Sequence, residues 1–230
     1  MQNNKERTLK KDIHAGQIEQ HIAHVTRELR EGFELLAKFP KSVTILGSSQ
    51  TGPEEPNYLK AKELAGRIVT ELKYAVVTGG GPGIMEAANQ GAAEVSGGNS
   101  AGLSISLPHE HTANTYSNHN LKFSYFFTRK AMLTFAAEAF VFFPGGFGTF
   151  DELFSILTLI QTGKIPRVPV ILIDSSFWNN FKSYLKEVMC EVYGNIDVRD
   201  LELLEITDSL DDAMDRIKKA PVSEWWRNIN

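Results

Sequence analysis

The sequence of 230 residues has little cysteine, no long apolar run and no excess of basic charge, and each shortage excludes a class of protein. Its one cysteine, Cys190, cannot form an internal disulfide or a cysteine-rich metal site, which favours a reducing compartment. The apolar runs, such as residues 139–143, are far shorter than the roughly 20 residues that a membrane-spanning helix needs. The polar first twelve residues lack the apolar centre of a secretion signal. We therefore expect a cytoplasmic protein with no membrane partner.

The charge balance is mildly acidic, with 24 basic and 28 acidic residues and a formal net charge of −4. Such a chain lacks the basic footprint of a nucleic-acid-binding protein, so we expect no nucleic-acid partner. A content of 42% hydrophobic and 23% charged residues is that of an ordinary globular protein. The length predicts one domain over residues 1–230. Its parts are a polar tail (1–15), a cover helix (16–39), a core (43–190) and a C-terminal extension (195–230).

Apolar residues recur at helical spacing from Ile18 to Phe39, which predicts an amphipathic helix that Pro40 ends. After Pro40, short apolar runs alternate with helical stretches. The predicted strands are 43–46, 75–77, 102–107, 121–126, 139–143, 168–173 and, more weakly, 203–206; the predicted helices are about 57–73, 83–96, 129–138, 149–162, 177–190 and 208–219. This alternation predicts an α/β fold, a Rossmann-like parallel sheet of about seven strands flanked by helices on both faces.

Glycines are concentrated where strands lead into helices. Residues 78–83 read Thr-Gly-Gly-Gly-Pro-Gly, residues 144–149 read Pro-Gly-Gly-Phe-Gly-Thr, and a smaller version, Gly47-Ser48, follows the first strand. In open parallel sheets, ligands bind outside the carboxyl ends of the strands. Glycine lets backbone N–H groups approach a ligand, and a helix N-terminus favours an anion. The three loops therefore predict a phosphate-bearing ligand.

The glycine loops match neither of two common phosphate-binding motifs. A P-loop needs Gly-Lys followed by Ser or Thr, whereas the chain's Gly163-Lys164 is followed by Ile165. A dinucleotide fingerprint needs a third glycine, where the two loops have Ile84 and Asp151. Binding of a nicotinamide or flavin dinucleotide is therefore disfavoured.

Residues 144–152, Pro-Gly-Gly-Phe-Gly-Thr-Phe-Asp-Glu, match the pattern Pro-Gly-Gly-x-Gly-Thr-x-x-Glu. This pattern resembles the LOG family, named after the plant "Lonely guy" cytokinin-activating enzymes and long labelled "putative lysine decarboxylase". Residues 127–132 and 78–86 look like the family's Arg-Lys segment and its first glycine loop. The helix over 16–39 and the tail beyond 195 lie outside the shorter members and resemble the longer, AMP-nucleosidase-like bacterial branch. Residues 126–129 read Phe-Phe-Thr-Arg where plant members usually have Met-His-Glu-Arg, so the preferred base stays open.

The resemblance implies hydrolysis of the N-glycosidic bond of a nucleoside 5′-monophosphate, AMP or a cytokinin riboside 5′-monophosphate, to the free base and ribose 5-phosphate. It implies no metal, no cofactor and a homodimer or higher homo-oligomer. By resemblance, Glu152 would stabilise an oxocarbenium-like transition state with Arg129 as its catalytic partner. The residues expected to bind the substrate are Gly145, Gly146, Gly148, Thr149, Gly79, Gly80, Gly81, Gly83, Glu86, Ser48 and Lys130.

Several alternatives stay open. Thr149-x-x-Glu152 also has the spacing of a capping box, which is a structural feature. The segment His109-Glu110-His111 is interpreted as surface, as a metal site or as a lid over the pocket. Two non-enzymatic functions remain: a nucleotide or molybdenum-cofactor carrier, which would not need Arg129 with Glu152, and a DNA-processing protein, which the net charge does not favour.

Overall fold

The computed structural model describes residues 15–107, 113–135 and 137–221 of the chain. Within them, the helices and strands follow one another in the predicted alternation. In chain order they are α1 (Ala15–Leu36), β1 (Ser42–Leu46), α2 (Pro56–Arg67, continued by a π-helical turn at Ile68–Leu72), β2 (Ala75–Thr78), α3 (Ile84–Ala93), β3 (Ser100–Ile105), β4 (His119–Phe123), α4 (Phe126–Thr134), β5 (Ala137–Phe142), α5 (Phe147–Gln161), β6 (Val170–Ile173), α6 (Ser175–Tyr184, continued by a π-helical segment at Leu185–Val192), a 3-10 helix (Val198–Leu203), β7 (Glu205–Thr207) and α7 (Leu210–Lys219).

The seven strands form one parallel sheet in the order β4-β3-β2-β1-β5-β6-β7. The Rossmann-like fold class predicted from the sequence is therefore confirmed. All six residues of β5 are buried, as expected for a central strand that is covered on both faces. Leu46 of β1 pairs with Phe142 of β5, so the two strands end side by side.

Alternate side chains of each strand enter different parts of the core. Val43, Ile45 and Val141 pack with α2, α3 and α7 on one face of the sheet. On the other face, Phe140 and Phe142 pack with α5 and α6, and the β2 and β3 side chains pack with α1 and α4. The core therefore fixes the two helices, α4 and α5, that carry the catalytic candidates.

Several predicted boundaries were wrong by a few residues, and two of them lie at the ends of α4. The helix predicted over 129–138 ends at Thr134, and residues 137 and 138 instead begin β5, because Ala137 already pairs with β1. The strand predicted over 121–126 ends at Phe123, and α4 begins at Phe126. Strand pairing overrides the local apolar pattern at residues 137 and 138, whereas the pairing of β4 with β3 stops at Phe123.

The N-terminal helix covers the core along only part of its length. Leu35, Leu36 and Phe39 are buried beside the sheet, whereas Ile18 and Ile22 on the first turns are about half exposed. None of the helices in the described ranges combines the length and apolarity needed to cross a membrane.

Candidate active site

A cavity of about 470 Å³ opens at the carboxyl ends of the central strands. It lies where the strand order reverses, because β1 and β5 are neighbours in the sheet but are followed by helices on opposite faces. Open α/β sheets bind ligands at such a switch point. The loops after these two strands are joined by a hydrogen bond from the Ser48 N–H to the Pro144 carbonyl, at 2.9 Å. The cavity thus has a fixed floor made from both halves of the sheet.

The first glycine loop forms a fixed wall of this cavity. Gly83 has a φ of +71°, and a side chain there would collide with the Ser48 carbonyl, so this turn requires glycine. The Ile84 N–H donates to the same Ser48 carbonyl at 3.0 Å. From the other side, Asn114 donates through its backbone N–H to the Gly80 carbonyl and through Nδ2 to the Gly81 carbonyl. These hydrogen bonds hold the loop in one conformation.

The second glycine loop leads directly into α5. The helix begins at Phe147 after Gly146, and Gly146, Phe147, Gly148 and Thr149 all line the cavity. The first N–H groups of a helix have no partner within the helix and carry its positive dipole end. This end of the cavity therefore suits an anion such as a phosphate.

The capping-box interpretation of Thr149 and Glu152 was wrong. The helix begins two residues before Thr149, so Thr149 stands at its third position and Glu152 in its second turn. A capping box needs its first residue at the helix boundary and its Glu within the first turn. The boundary residue is Gly146, which has no side chain to cap the helix. Glu152 therefore does not cap the N-terminus of α5.

Glu152 is buried but incompletely satisfied. It is 5% exposed and lines the cavity, and its Oε2 atom has no hydrogen-bond partner among the described residues. Burial raises the pKa of this carboxyl, and the charges of Lys130 and Arg129 only partly offset that effect. A buried acceptor without a partner is costly, which makes it a candidate for a functional group.

Arg129 lies on the first turn of α4 and also lines the cavity. Its Nε donates to the Leu103 carbonyl at 2.7 Å, and its guanidinium packs so closely over Gly79 that a side chain there would overlap it. Burial lowers the pKa of Arg129, while the carboxylates of Glu152 and Asp151 raise it. The guanidinium is therefore anchored at one nitrogen and electrostatically coupled to Glu152.

The Lys130 side chain points toward α5, whereas its neighbour Arg129 lines the cavity. Its ammonium contacts the Asp151 carboxylate at 2.6 Å and the Ser155 hydroxyl at 2.9 Å. Both partners lie on α5, so Lys130 joins α4 to α5 beside Glu152. Its charge acts on Glu152 by lowering the pKa of that carboxyl.

The structure brings together most of the residues that the sequence analysis selected. Those that line the cavity are Glu152, Arg129, Ser48, Gly79, Gly80, Gly81, Gly146, Gly148 and Thr149. Four selected residues do not line the cavity as the described residues form it: Gly83, Gly145, Glu86 and Lys130. Gly83 lies under Ser48, and Gly145 lies under the Thr149 side chain. Glu86 is half-buried in the first turn of α3.

Sequence reasoning missed the apolar part of the cavity and three polar side chains. The apolar side chains include Leu46, Met85, Ile105, Leu107, Phe126 and Phe147, and the polar ones are Ser49, Gln50 and Ser104. Their position in the chain could have indicated them. Each lies at or just after the carboxyl end of a strand, or on the first turns of a helix that follows a strand. Phe147, at 96% exposed, stands at the rim.

The segment His109-Glu110-His111 lies outside the described residues, and its flanking residues Leu107 and Ala113 line the cavity. Within the part of the chain that the structure describes, no group of three or more His, Cys, Asp or Glu residues could hold a metal ion.

Comparison with known proteins identifies relatives over most of the chain. A family model described as "Possible lysine decarboxylase" matches residues 85–217. A cytokinin riboside 5′-monophosphate phosphoribohydrolase of Mycobacterium marinum is 26% identical over 76% of this chain and 93% of its own. One of Arabidopsis thaliana is 28% identical over 83% and 97%. A solved molybdenum cofactor binding protein of Rippkaea orientalis shares the fold, with a TM-score of 0.56, 20% identity, and coverage of 77% of this chain and 95% of its own.

Proposed function

Because the chain belongs to the family described as possible lysine decarboxylases, the LOG family, we propose that it hydrolyses the N-glycosidic bond of a nucleoside 5′-monophosphate. The substrate is AMP or a cytokinin riboside 5′-monophosphate, and the products are the free base and ribose 5-phosphate. The names of the relatives from Mycobacterium marinum and Arabidopsis thaliana support a nucleotide phosphoribohydrolase.

One observation carries the proposal: the Glu152 carboxyl is buried in the cavity with its Oε2 atom unpartnered among the described residues. Breaking an N-glycosidic bond builds positive charge on the sugar, in an oxocarbenium-like transition state. A carboxylate in a low-dielectric cavity stabilises that charge more strongly than one in water. Its free oxygen can also accept a proton from the attacking water. A raised pKa brings the carboxyl closer to the neutral range in which a general base is effective.

The two ends of the cavity suit the two ends of a nucleotide. The first-turn N–H groups of α5 and the Thr149 hydroxyl would bind the 5′-phosphate. The apolar side chains of Met85, Ile105 and Phe126 would contact the base. Glu152, one turn into α5, would then face the ribose between them.

Arg129 supplies the positive charge of the pair. Its Nε is held by the Leu103 carbonyl, so the terminal nitrogens are oriented before a ligand binds. A guanidinium presents a planar pair of donors to a phosphate or to the departing base. We assign it to hold the nucleotide and to balance the charge that develops as the base leaves.

A carrier of a nucleotide or of molybdenum cofactor is the second candidate, because solved carrier proteins share this fold. At 20% and 21% identity these neighbours support the fold alone. A carrier needs the anion-binding loops, but an unpartnered carboxylate beside an anionic ligand would weaken its binding. Glu152 therefore favours the enzyme.

The test is to incubate the purified protein with AMP and, separately, with isopentenyladenosine 5′-monophosphate, and to separate the products by chromatography. The proposal expects free base and ribose 5-phosphate in equal amounts from at least one substrate. Glu63→Gln is the control, because Glu63 is exposed on α2 and lies outside the cavity. Loss of the activity in Glu152→Gln but not in Glu63→Gln would exclude a contaminating hydrolase. Tight binding of intact AMP with no free base would support the carrier instead.

A further inference from the structure

We propose that Glu28, on the N-terminal helix α1, is a positioning residue for Arg129 and acts by anchoring the first turn of α4. This inference rests on the proposed function for its activity readout. Glu28 lies outside residues 85–217, which the family model matches, and no sequence motif selected it.

Glu28 is hydrogen-bonded to two residues at the start of α4 and is supported by a third residue on its own helix. Its carboxylate, 3% exposed, accepts a hydrogen bond from the Ser124 N–H at 2.6 Å and one from the Thr128 hydroxyl at 2.5 Å. His24, one turn earlier on α1, places its Nε2 at 3.1 Å from the same carboxylate and at 3.1 Å from the Ser124 hydroxyl. A buried carboxylate with this many partners is well satisfied, so it is a strong anchor.

Helix α4 needs such an anchor because its own sequence does not cap it. The boundary residue, Tyr125, makes no side-chain hydrogen bond to the helix end. Glu28, which lies on α1, therefore supplies a negative charge that stabilises the positive N-terminal end of α4. Tyr125 is tied to α1 as well, through a hydrogen bond between its hydroxyl and Nδ1 of His21.

The anchored turn is the one that carries the catalytic candidate. Thr128, which donates to Glu28, precedes Arg129, which donates to Leu103. Helix α4 has only nine residues, so a shift of its first turn displaces Arg129 directly. Small misplacements of a group that orients a substrate reduce catalysis strongly, by up to about a hundredfold for 1 Å.

The test compares Glu28→Gln with Glu31→Gln, which removes the same charge from an exposed position on the same helix. Glutamine keeps the size of Glu28 but not its charge or its capacity to accept every hydrogen bond. We expect Glu28→Gln to lower kcat for AMP by about tenfold with a smaller change in KM, and Glu31→Gln to leave both unchanged. A thermal melt of each variant verifies that it is folded.

A double-mutant comparison separates positioning from general destabilisation. If Glu28 acts through Arg129, then Glu28→Gln has less than about a twofold further effect once Arg129→Lys has removed the guanidinium. An equal fold-loss in both backgrounds would overturn the proposal.

A second readout needs no activity. The Arg129 Nε–H is hydrogen-bonded, so its NMR signal, identified by its loss in Arg129→Lys, should exchange slowly with water. We expect faster exchange in Glu28→Gln but not in Glu31→Gln, and equal exchange in the two variants would overturn the proposal. An inactive wild-type protein would refute the proposed function, whereas this NMR comparison would still decide the role of Glu28.

Discussion

Glu28 and Glu152 are two glutamates with similarly little solvent exposure, at 3% and 5%, although Glu152 lies deeper in the protein. Burial raises the pKa of both carboxyls, but for Glu28 the hydrogen bonds from Thr128 and Ser124 and the nearby His24 outweigh burial and hold its pKa below the ordinary value. Within the described ranges no group hydrogen-bonds to Oε2 of Glu152, and the pKa of Glu152 is raised. The same residue type, shielded from solvent at both positions, is thus stabilised as an anion at Glu28 and left available at Glu152.

A structural carboxylate differs from a reactive one in how many of its acceptor positions the protein itself occupies. The Glu28 carboxylate is engaged by Ser124, Thr128 and His24, which leaves it little capacity to accept a hydrogen bond from a ligand. Glu152 lines a cavity beside Arg129 and the open first turn of α5, where the protein leaves an oxygen for a substrate or a water. The following predictions test that contrast.

The largest expected effect is on turnover by Glu152→Gln. Glutamine cannot supply a negative charge to an oxocarbenium-like transition state or act as a carboxylate base. We expect AMP hydrolysis to fall by at least about a hundredfold, while AMP binding, measured by calorimetry, is kept. Hydrolysis at the wild-type rate would leave Glu152 without a catalytic role.

Removing the 5′-phosphate from the substrate should have the next largest effect. The first turn of α5 offers several N–H donors to an anion, and each lost charge-assisted hydrogen bond costs about 1.5–3 kcal/mol. Adenosine should therefore react at least about tenfold to a hundredfold more slowly than AMP. Comparing kcat/KM for the two compounds measures this, and equal values would contradict an anion site at α5.

Arg129→Lys should reduce activity by about tenfold or more, because lysine lacks the planar pair of donors and the anchoring Nε. The melting temperature should change little, since Arg129 is only partly buried. Steady-state kinetics and a thermal melt on one preparation test both statements. Full activity of the lysine variant would show that any cation suffices at this position.

The smallest effect concerns stability against pH, and its sign differs between the two glutamates. Because the pKa of Glu152 is raised in the folded protein, Glu152 contributes to the free energy of unfolding at low pH. That contribution is lost as pH rises through the raised pKa. Glu152→Gln should thus gain stability relative to wild type as pH rises above about 4.5. The lowered pKa of Glu28 means that its contribution is lost as pH falls through that pKa, so the deficit of Glu28→Gln should shrink in acid. Denaturant unfolding at a series of pH values reports both trends, and parallel curves for the two variants would refute them.

The sequence predicted the sheet well because strands such as β2 and β6 are compact apolar runs, and all seven strands formed. It also placed Glu152, Arg129 and most of the glycines at one site, since parallel strands bring their carboxyl ends together. It could not show that Lys130 points to Asp151 or that Gly145 supports Thr149, because those are properties of side-chain packing.

Glu28 was beyond sequence reasoning for a related reason. It stands in a helix with three other glutamates and looks like one more solvated charge, and its partners Ser124 and Thr128 are about 100 residues away. The capping-box interpretation of Glu152 failed because the spacing of Thr149 and Glu152 does not reveal where the helix begins. Only the fold shows that the Glu28 carboxylate is satisfied by hydrogen bonds, whereas Oε2 of Glu152 has no partner among the described residues.

The most direct test of the central claim is an NMR titration of the glutamate carboxyl carbons, with Glu28→Gln and Glu152→Gln used to assign the two signals. The account predicts that Glu152 titrates above the ordinary pKa of a glutamate and that Glu28 titrates below it. A Glu152 carboxyl that titrates at or below the pKa of Glu28 would contradict the account, because both glutamates would then be satisfied anions.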